Sequence, residues 1–343
     1  MANTMRSTDS SSRVLVAVNT LIRSQDGVVT HLQLVELGMS ERTVRNRAVR
    51  GGPWQRILPG TYLTQTGPPS QRQLSRAALL YATQGTGRDA VLTGGAALEL
   101  FGLRRLPPRD RVHVLVAVDN KYATTGHVML ERTARMPARI VRDGLDCAPF
   151  VRALVDSARR ATDIDEARAV MAEAVQRRFC TPRQILDEIR DGPTRRAKLA
   201  RQVGLEMADG VRSPAEGWFR EALARFGVPS PRWNAVLRDV VTGAVVAVPD
   251  ALWPGCCVIV EVDSREYHLS PEEWRRTQER HAMLTALGFV VLHVAPARIK
   301  QDPEMVCAEV MAALTSNMGR PWPRSVLLTR AGDTGYREVR QSL

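Results

Sequence analysis

The stretch VAVPDALWPGCCVIVEVDSREYH, Val246 to His268, decides how the C-terminal part of this chain folds. It alternates as a sheet does, turns at Pro254-Gly255, and sets Glu261 and Asp263 directly after the apolar run Val258-Ile259-Val260. A strand this apolar is expected to be buried on both faces, where an ionised carboxylate is costly unless a cation holds it. With Pro254-Gly255 as a two-residue turn, Trp253 faces Cys256 and Asp250 faces Ile259, so Asp250, Ile259, Glu261 and Asp263 share one face. Asp250 and Glu261 then form a diagonal cross-strand pair about 7–8 Å apart. Convergent carboxylates with oxygen-only ligation suit Mg²⁺ or Mn²⁺. The alternative is an edge strand whose carboxylates pair with Arg265, Arg276 or Arg280.

Upstream, Ser213-Pro214 opens SPAEGWFREALARFGV with Ser213 at N-cap, Pro214 at N1 and Glu216 at N3, a capping-box pattern. Glu216 is a cap on this reading, and at i, i+3 and i+7 with Phe219 and Leu223 it also borders the apolar face that packs on the sheet. WNAVLRDV, a turn at Thr242-Gly243, AVVAVPDALW, the Pro254-Gly255 turn and CCVIVEVD spell three antiparallel strands. A helix from Ser270-Pro271 to Leu287 crosses to the parallel strand FVVLHV, and a last helix runs from about Asp302 to Leu314. The order is αβββαβ. His281 on the crossover helix and His293 beside apolar strand neighbours read as core histidines.

At the other end, a polar start over Met1 to Ser12 precedes a short amphipathic helix, Val14 to Arg23. Thr30 caps HLQLVELG, which ends at Gly38, and Ser40 caps ERTVRNRAVRGG, which ends at Gly51-Gly52. Two short helices joined by Gly38-Met39-Ser40 have helix-turn-helix spacing. The second turns Val44 and Ala48 inward and leaves Arg42, Arg45 and Asn46 on the opposite surface, with Arg47 and Arg50 flanking, as contact with phosphates and base edges requires. WQRILPGTYLT then reads as a hairpin around Pro59-Gly60, the place of a wing. An ordinary basic helical hairpin is the alternative.

Between these ends, LTGGAALELFGL reads as a strand turning through Gly94-Gly95 into a helix, followed by the β-like runs RVHVLVAV and HVMLERT and by helices from Pro149 to about Met207. There is no GxGxxG and no GK[ST], so the glycine pair reads as tight helix-on-strand packing rather than a phosphate cradle.

The chain has 343 residues and 44% hydrophobic content, enough for two or three domains. Forty-eight Lys+Arg against 36 Asp+Glu give a net charge of +12, carried almost wholly by arginine, which points to a polyanionic partner. A GC-rich coding sequence also enriches arginine, so placement carries more weight than the total. No uncharged apolar run approaches a membrane span and no secretory signal is evident, so a cytoplasmic protein without a membrane partner is expected. Five cysteines without CxxC read as small buried hydrophobes in a reducing compartment.

Pro249-Asp250, then Glu261-Val262-Asp263 within αβββαβ, resembles the PD-(D/E)xK restriction-endonuclease-like superfamily, and more narrowly the very-short-patch-repair (Vsr) endonuclease-like domains. Asp250, Glu261, Asp263, Tyr267, His268, Arg280, Leu284 and Gly288 match that pattern in order, over about residues 210–316. The resemblance implies Mg²⁺- or Mn²⁺-dependent hydrolysis of DNA, with Asp250 and Glu261 on the metal, Glu216 as a further ligand and His268 near the scissile phosphate. Asp263 departs from the pattern, whose third residue is usually lysine. Either Asp263 is another ligand and Arg265 or His268 takes the basic role, or the domain binds without cleaving.

GVVTHLQLVELGMSERTVRNRAVRGGPWQRILPGTY resembles the N-terminal winged helix of AbiEi-type antitoxins over about residues 14–66, and the middle region resembles the remainder of such proteins. This implies double-stranded DNA as partner and admits a cognate toxin and a homodimer. The expectation is an α+β chain. It comprises a winged helix-turn-helix (1–70), an AbiEi-like middle region (71–205), a Vsr-like nuclease domain (206–316) and a tail (317–343). The rival function is a transcriptional regulator of a type IV toxin-antitoxin system, in which the nuclease fold is silent.

Overall fold

The computed structural model describes residues 2–84, 89–107, 109–262 and 271–329. It is a mixed α/β chain with several mixed sheets, and it divides into two units that alternate along the sequence. Unit 1 comprises Met1–Val170 and Gln184–Ala200; unit 2 comprises Met171–Arg183 and Arg201–Leu343.

Unit 1 starts with α1 (Ala2–Ser24), so helix begins well before the Val14 expected from amphipathicity. It continues through β1 (Val28–Thr30), α2 (His31–Glu36), α3 (Glu41–Arg47), β2 (Gln55–Leu58) and β3 (Thr61–Leu63). Thr30 and Ser40 cap α2 and α3 as their positions predict, Thr30 in a full capping box with Gln33. Gly38 turns between them at φ 91°, where an added Cβ would meet Val14 Cγ2 at 3.2 Å. Val18, Val29, Leu34, Met39, Val44 and Trp54 form the small core beneath. β2 and β3 make the hairpin expected at Pro59-Gly60, and β1, unforeseen, pairs with β3 to give the order β1-β3-β2. Helix α3 is shorter than expected: it stops at Arg47 with Ala48 as C-cap.

The rest of unit 1 adds α4 (Gln71–Thr83), β4 (Ala90–Leu92), α5 (Gly94–Leu100), β5 (Val112–Ala117), β6 (Val128–Thr133), β7 (Ile140–Arg142), β8 (Leu145–Cys147) and α6 (Phe150–Ala158). Its strands form one mixed sheet, β6-β5-β4-β8-β7. The two runs read from sequence pair in parallel as β5 and β6, while the hairpin β7-β8 was not foreseen. Gly94 stands against His113, 3.2 Å from where its Cβ would be, so helix-on-strand contact explains the glycine. Helices α7 (Ile164–Gln176) and α8 (Pro182–Asp191) pass from one unit into the other, and α9 (Lys198–Ala208) follows.

A charged cluster sits inside unit 1. Asp156, 1% exposed, accepts from Arg152 Nε (2.8 Å), Arg159 Nη1 (3.0 Å) and Thr93 Oγ1 (2.8 Å). Arg159 Nη1 also donates to Glu131 Oε1 at 3.1 Å, and Glu131 Oε2 meets Arg160 Nη2 at 2.5 Å and His113 Nε2 at 3.1 Å. Burial works against ionisation of Glu131, yet His113, Arg160 and Arg159 hold its carboxyl well below the usual carboxylate range.

Unit 2 runs through α10 (Pro214–Arg225), β9 (Arg232–Trp233), β10 (Val236–Asp239), β11 (Val245–Ala247), β12 (Ala251–Trp253), β13 (Val258–Val262), α11 (Pro271–Ala286), β14 (Val290–Val294), α12 (Pro296–Gln301), α13 (Pro303–Ser316) and β15 (Val326–Thr329). The four-stranded sheet has the order β14-β13-β12-β9, with β14 parallel to β13 after the α11 crossover, as expected. Each of two runs read as one strand is split. Asn234, at φ 48°, breaks WNAVLRDV into β9 and β10, and AVVAVPDALW divides into β11 and β12 around Pro249-Asp250. The freed halves, with β15 from the segment read as a tail, build a second sheet, β11-β10-β15. Leu237, Leu252, Ile259, Leu284, Phe289 and Val326 form the core shared by both sheets.

Cys147, Cys180, Cys257 and Cys307 are buried free thiols, and burial pushes Cys147 and Cys180 up to about 12. They behave as the small hydrophobes that were expected. Among the described residues no helix is long and apolar enough to cross a membrane.

Replacing Asp156 with Ala removes the carboxylate that Arg152 and Arg159, each 6% exposed or less, share, and leaves Arg152 with Glu188 at 3.8 Å and Arg159 with Glu131 as their remaining acidic partners. We expect a loss of about 3–5 kcal/mol, the usual cost of breaking a buried ion pair from one side. Urea denaturation of Asp156→Ala measures it; a loss below about 1 kcal/mol would show that water reaches the cluster.

Candidate functional site

Three of the carboxylates picked out from sequence lie at one end of the four-stranded sheet in unit 2. β12 and β13 pair with Ala251 opposite Val260, Leu252 opposite Ile259 and Trp253 opposite Val258. The expected register, with Asp250 facing Ile259, is therefore two residues out. The connection is longer than two residues: Pro254–Cys256 form a 3₁₀ turn and Cys257 takes φ 50°. A slip of two keeps every side chain on its face. Continuing the observed register puts Asp250 directly across from Glu261 rather than diagonal to it. Asp250 Oδ2 accepts the Val262 N–H at 2.7 Å, which ties the start of β12 to the end of β13.

Glu216 joins them from α10. Ser213 caps its backbone N–H at 3.1 Å, so the cap reading holds for the main chain. The side chain, 5% exposed, does something else: its Oε2 accepts from Arg212 N at 2.9 Å and Asn234 Nδ2 at 2.6 Å. Asn234 also donates its backbone N–H to the Asp250 carbonyl at 3.0 Å, so one residue at the break between β9 and β10 links both carboxylate residues. Burial, then the charge of Asp250, push the Glu216 carboxyl up to about 7 against the hydrogen bonds that oppose the shift.

Glu261 has a different answer to burial. Arg280 Nη2 lies 2.7 Å from Glu261 Oε1 and 3.0 Å from the Val248 carbonyl oxygen. The strand is interior, not at an edge, so the edge-strand alternative fails on position while its Arg280 pairing is realised. Asp263 and His268, with Arg265 and Tyr267, lie outside the described residues.

His281 and His293 were misread. Neither is in the core: His281 is half-buried and His293 exposed. Their rings stack at 17° with Nδ1 of His281 2.9 Å from Nε2 of His293, and His293 is the register partner of Glu261 across β13 and β14. A hydrogen bond between two imidazole nitrogens needs an N–H on one ring and a lone pair on the other. Their apolar sequence neighbours hid this, because the signal lies in the α11-to-β14 crossover geometry.

A divalent cation fits part of this set. Buried Glu216 is opposed by the charge of half-buried Asp250, which a hard cation with oxygen ligands relieves. Glu261 is already compensated by Arg280, and among the described residues no three His, Cys, Asp or Glu side chains form a ready metal group.

In unit 1 the basic residues of α3 stand apart. Arg42, Arg45 and Asn46 are exposed on the helix, and Arg50 is exposed in the turn after it; none forms an ion pair or hydrogen bond among the described residues. Arg47, expected to flank this surface, is half-buried and stacks on Trp54 at 5.2 Å, just before β2.

No protein-family model matches the chain. It is similar to two Mycobacterium tuberculosis proteins, Uncharacterized protein MT2308 and Uncharacterized protein Rv2248. Each is 26% identical over 263 residues, which is 76% of this chain and 93% of the relative. A crystal structure of RV2827C protein from Mycobacterium tuberculosis aligns at 18% identity over 61% of this chain and 80% of that one, with a TM-score of 0.40.

Glu216 makes the stability of unit 2 depend on pH. Its folded pKa lies above the ordinary 4.5, so its contribution is complete below about 4.5 and is lost as pH rises to about 7. Glutamine keeps both hydrogen bonds, since they converge on one oxygen, and carries no charge. Glu216→Gln should therefore match the parent near pH 4.5 and exceed it by about 3 kcal/mol at pH 8 in chelator. Denaturant titrations at the two pH values check this; a gap independent of pH would exclude the elevated carboxyl.

Proposed function

We propose that the protein binds duplex DNA through its N-terminal winged helix and hydrolyses phosphodiester bonds at a divalent-metal site formed around Glu216, Asp250 and Glu261. The observation that carries the reading is the approach of Glu216 to Asp250 at the sheet end, next to Glu261. The charge of Asp250 adds to the cost of ionising buried Glu216, and unit 2 keeps an acid there although glutamine would satisfy the same two hydrogen bonds. Asp250 and Glu216 would hold the ion, with Glu261 joining once it leaves Arg280. An Mg²⁺ or Mn²⁺ ion held by these residues would supply activation of a water and charge compensation at the reacting phosphate. The protein's own contribution is to position: Asn234 aligns Glu216 with Asp250, and Val262 orients Asp250. Asp263 as a further ligand and His268 as acid or base remain part of the proposal through the sequence resemblance.

Arg42, Arg45 and Asn46 support the DNA-binding half, because these three exposed polar side chains of one short helix have no partner of their own among the described residues. Arg50 adds a flanking phosphate contact; Arg47 serves chiefly to brace β2.

A second reading has its own observation. The Arg280–Glu261 ion pair neutralises a carboxylate without metal, as a silent scaffold would. The protein is then a DNA-binding regulator of the AbiEi antitoxin type, with a cognate toxin as partner.

For the full chain, we expect log K for duplex DNA to fall linearly with log salt, by about 0.9 per phosphate neutralised. Arg42→Ala/Arg45→Ala should flatten that slope and weaken binding by about 1–3 kcal/mol for each guanine contact removed. Fluorescence anisotropy across a salt series reads both, and an unchanged slope removes α3 from the interface.

Mn²⁺ should raise the melting temperature of the parent protein at pH 8, but not that of Asp250→Asn, and nicking of plasmid DNA should require the ion and stop in EDTA. A metal-induced shift without nicking favours a bound but silent site. The absence of any shift sinks the nuclease reading and leaves the regulator.

A further inference from the structure

Unit 1 contains a cavity of about 370 Å³ lined by five arginines, Arg132, Arg159, Arg160, Arg195 and Arg196, around a single carboxylate, Glu131. Its volume lies at the low end of the roughly 300–1,000 Å³ typical of small-molecule sites. Most such basic linings are matched by acidic neighbours, so the question is where each guanidinium spends its donors.

Arg132 donates Nε to the Asn120 carbonyl oxygen and Nη2 to that of Tyr122, both at 2.8 Å. Arg159 commits four of its five N–H groups: Nη1 serves Glu131 and Asp156, while Nε and Nη2 both reach the Arg195 carbonyl oxygen, at 3.2 and 3.1 Å. Arg160 gives one N–H to Glu131. The two oxygens of Glu131 are taken up by Arg159, Arg160 and His113. Nothing acidic in the lining is left for Arg195 and Arg196, whose side chains form no ion pair or hydrogen bond among the described residues. Arg196 is held at φ 59°, a left-handed backbone unusual for a residue with a Cβ. The Arg195 carbonyl, clamped by buried Arg159, anchors this turn from below.

A concave wall with this surplus focuses positive potential into the cavity, and guanidinium forks match phosphate oxygens in geometry. We propose that the cavity binds a phosphorylated ligand of mononucleotide size, with Arg160, Arg195 and Arg196 contacting the phosphates and Glu131 holding Arg159 and Arg160 in position. The site belongs to unit 1, shares no lining residue with α3 or with the carboxylates of unit 2, and stands whether or not those carboxylates hold a metal. Two sources can supply the phosphate: a free nucleotide, or a phosphate of the DNA backbone.

The test is calorimetry on the full chain with three probes: inorganic pyrophosphate, ATP and a short DNA duplex. The duplex is titrated into protein carrying Arg42→Ala/Arg45→Ala, so that α3 does not contribute. Arg195→Glu/Arg196→Glu is the site variant; both side chains are exposed, and an unchanged melting temperature confirms that it folds. Arg23→Glu/Arg225→Glu is the control for bulk charge. We expect pyrophosphate and ATP to bind with one-to-one stoichiometry and to lose at least tenfold in affinity in the site variant, with the control unchanged. Binding of the duplex alone, lost tenfold in the same variant, assigns the cavity to a backbone phosphate. Failure of all three probes to bind, equal affinity in parent and site variant, or the same loss in the control overturns the proposal.

Discussion

A carboxylate removed from water has to be met by a cation or by a proton, and both units are organised by that requirement. In unit 1 the answer is cationic: Arg152, Arg159 and Arg160 surround Asp156 and Glu131, and the helix α6, which carries Arg152 and is C-capped by Arg159, is thereby fixed on the sheet. In unit 2 the answers are mixed. Glu261 receives Arg280, Asp250 receives a backbone N–H, and Glu216 keeps its proton into the neutral range. The three solutions sit within one corner of one sheet. A group compensated by a proton is the one most readily re-compensated by a metal, which is why Glu216 matters more to the proposed chemistry than the better-paired Glu261.

Local grammar in the chain was read well where one physical signal dominated. Ser213-Pro214 and Thr30 announced helix starts because capping is a property of four adjacent residues, and β13, α11 and β14 were legible because long apolar runs flank a polar helix. Register was not, since it depended on the 3₁₀ turn at Pro254–Cys256 and on Cys257 adopting a positive φ, which a Pro-Gly pair does not encode. Asn234 is a similar case: a polar residue inside an apparently continuous strand, whose positive φ ends one sheet and starts another. The partners of Glu261 and of His293, Arg280 and His281, are both carried by α11, and no spacing rule reaches them.

The charged cluster of unit 1 shows the same limit more sharply. Glu131 stands in a strand and Asp156 in a helix, and each looks like an ordinary surface residue until β6 and α6 bring them to the same arginines. The high arginine content pointed to a polyanion, yet several of those arginines are consumed internally. Arg47 is another, lying across Trp54 and stiffening the joint between α3 and β2. What remains available for an external partner is a smaller and more specific set than the net charge of +12 suggests.

The alternation of the two units along the chain has a consequence for how the molecule is made. Unit 1 is not complete at Val170, because Glu188 and the Arg195 carbonyl, which meet Arg152 and Arg159, arrive with Gln184–Ala200. Unit 2 has in turn contributed Met171–Arg183 before unit 1 closes, and its second sheet waits for β15, some ninety residues after β10. A nascent chain emerging from the ribosome therefore cannot finish one body before beginning the other. Buried arginines of the first stay hydrated until the later segment docks, which makes translation rate and chaperone access part of the folding problem for this architecture.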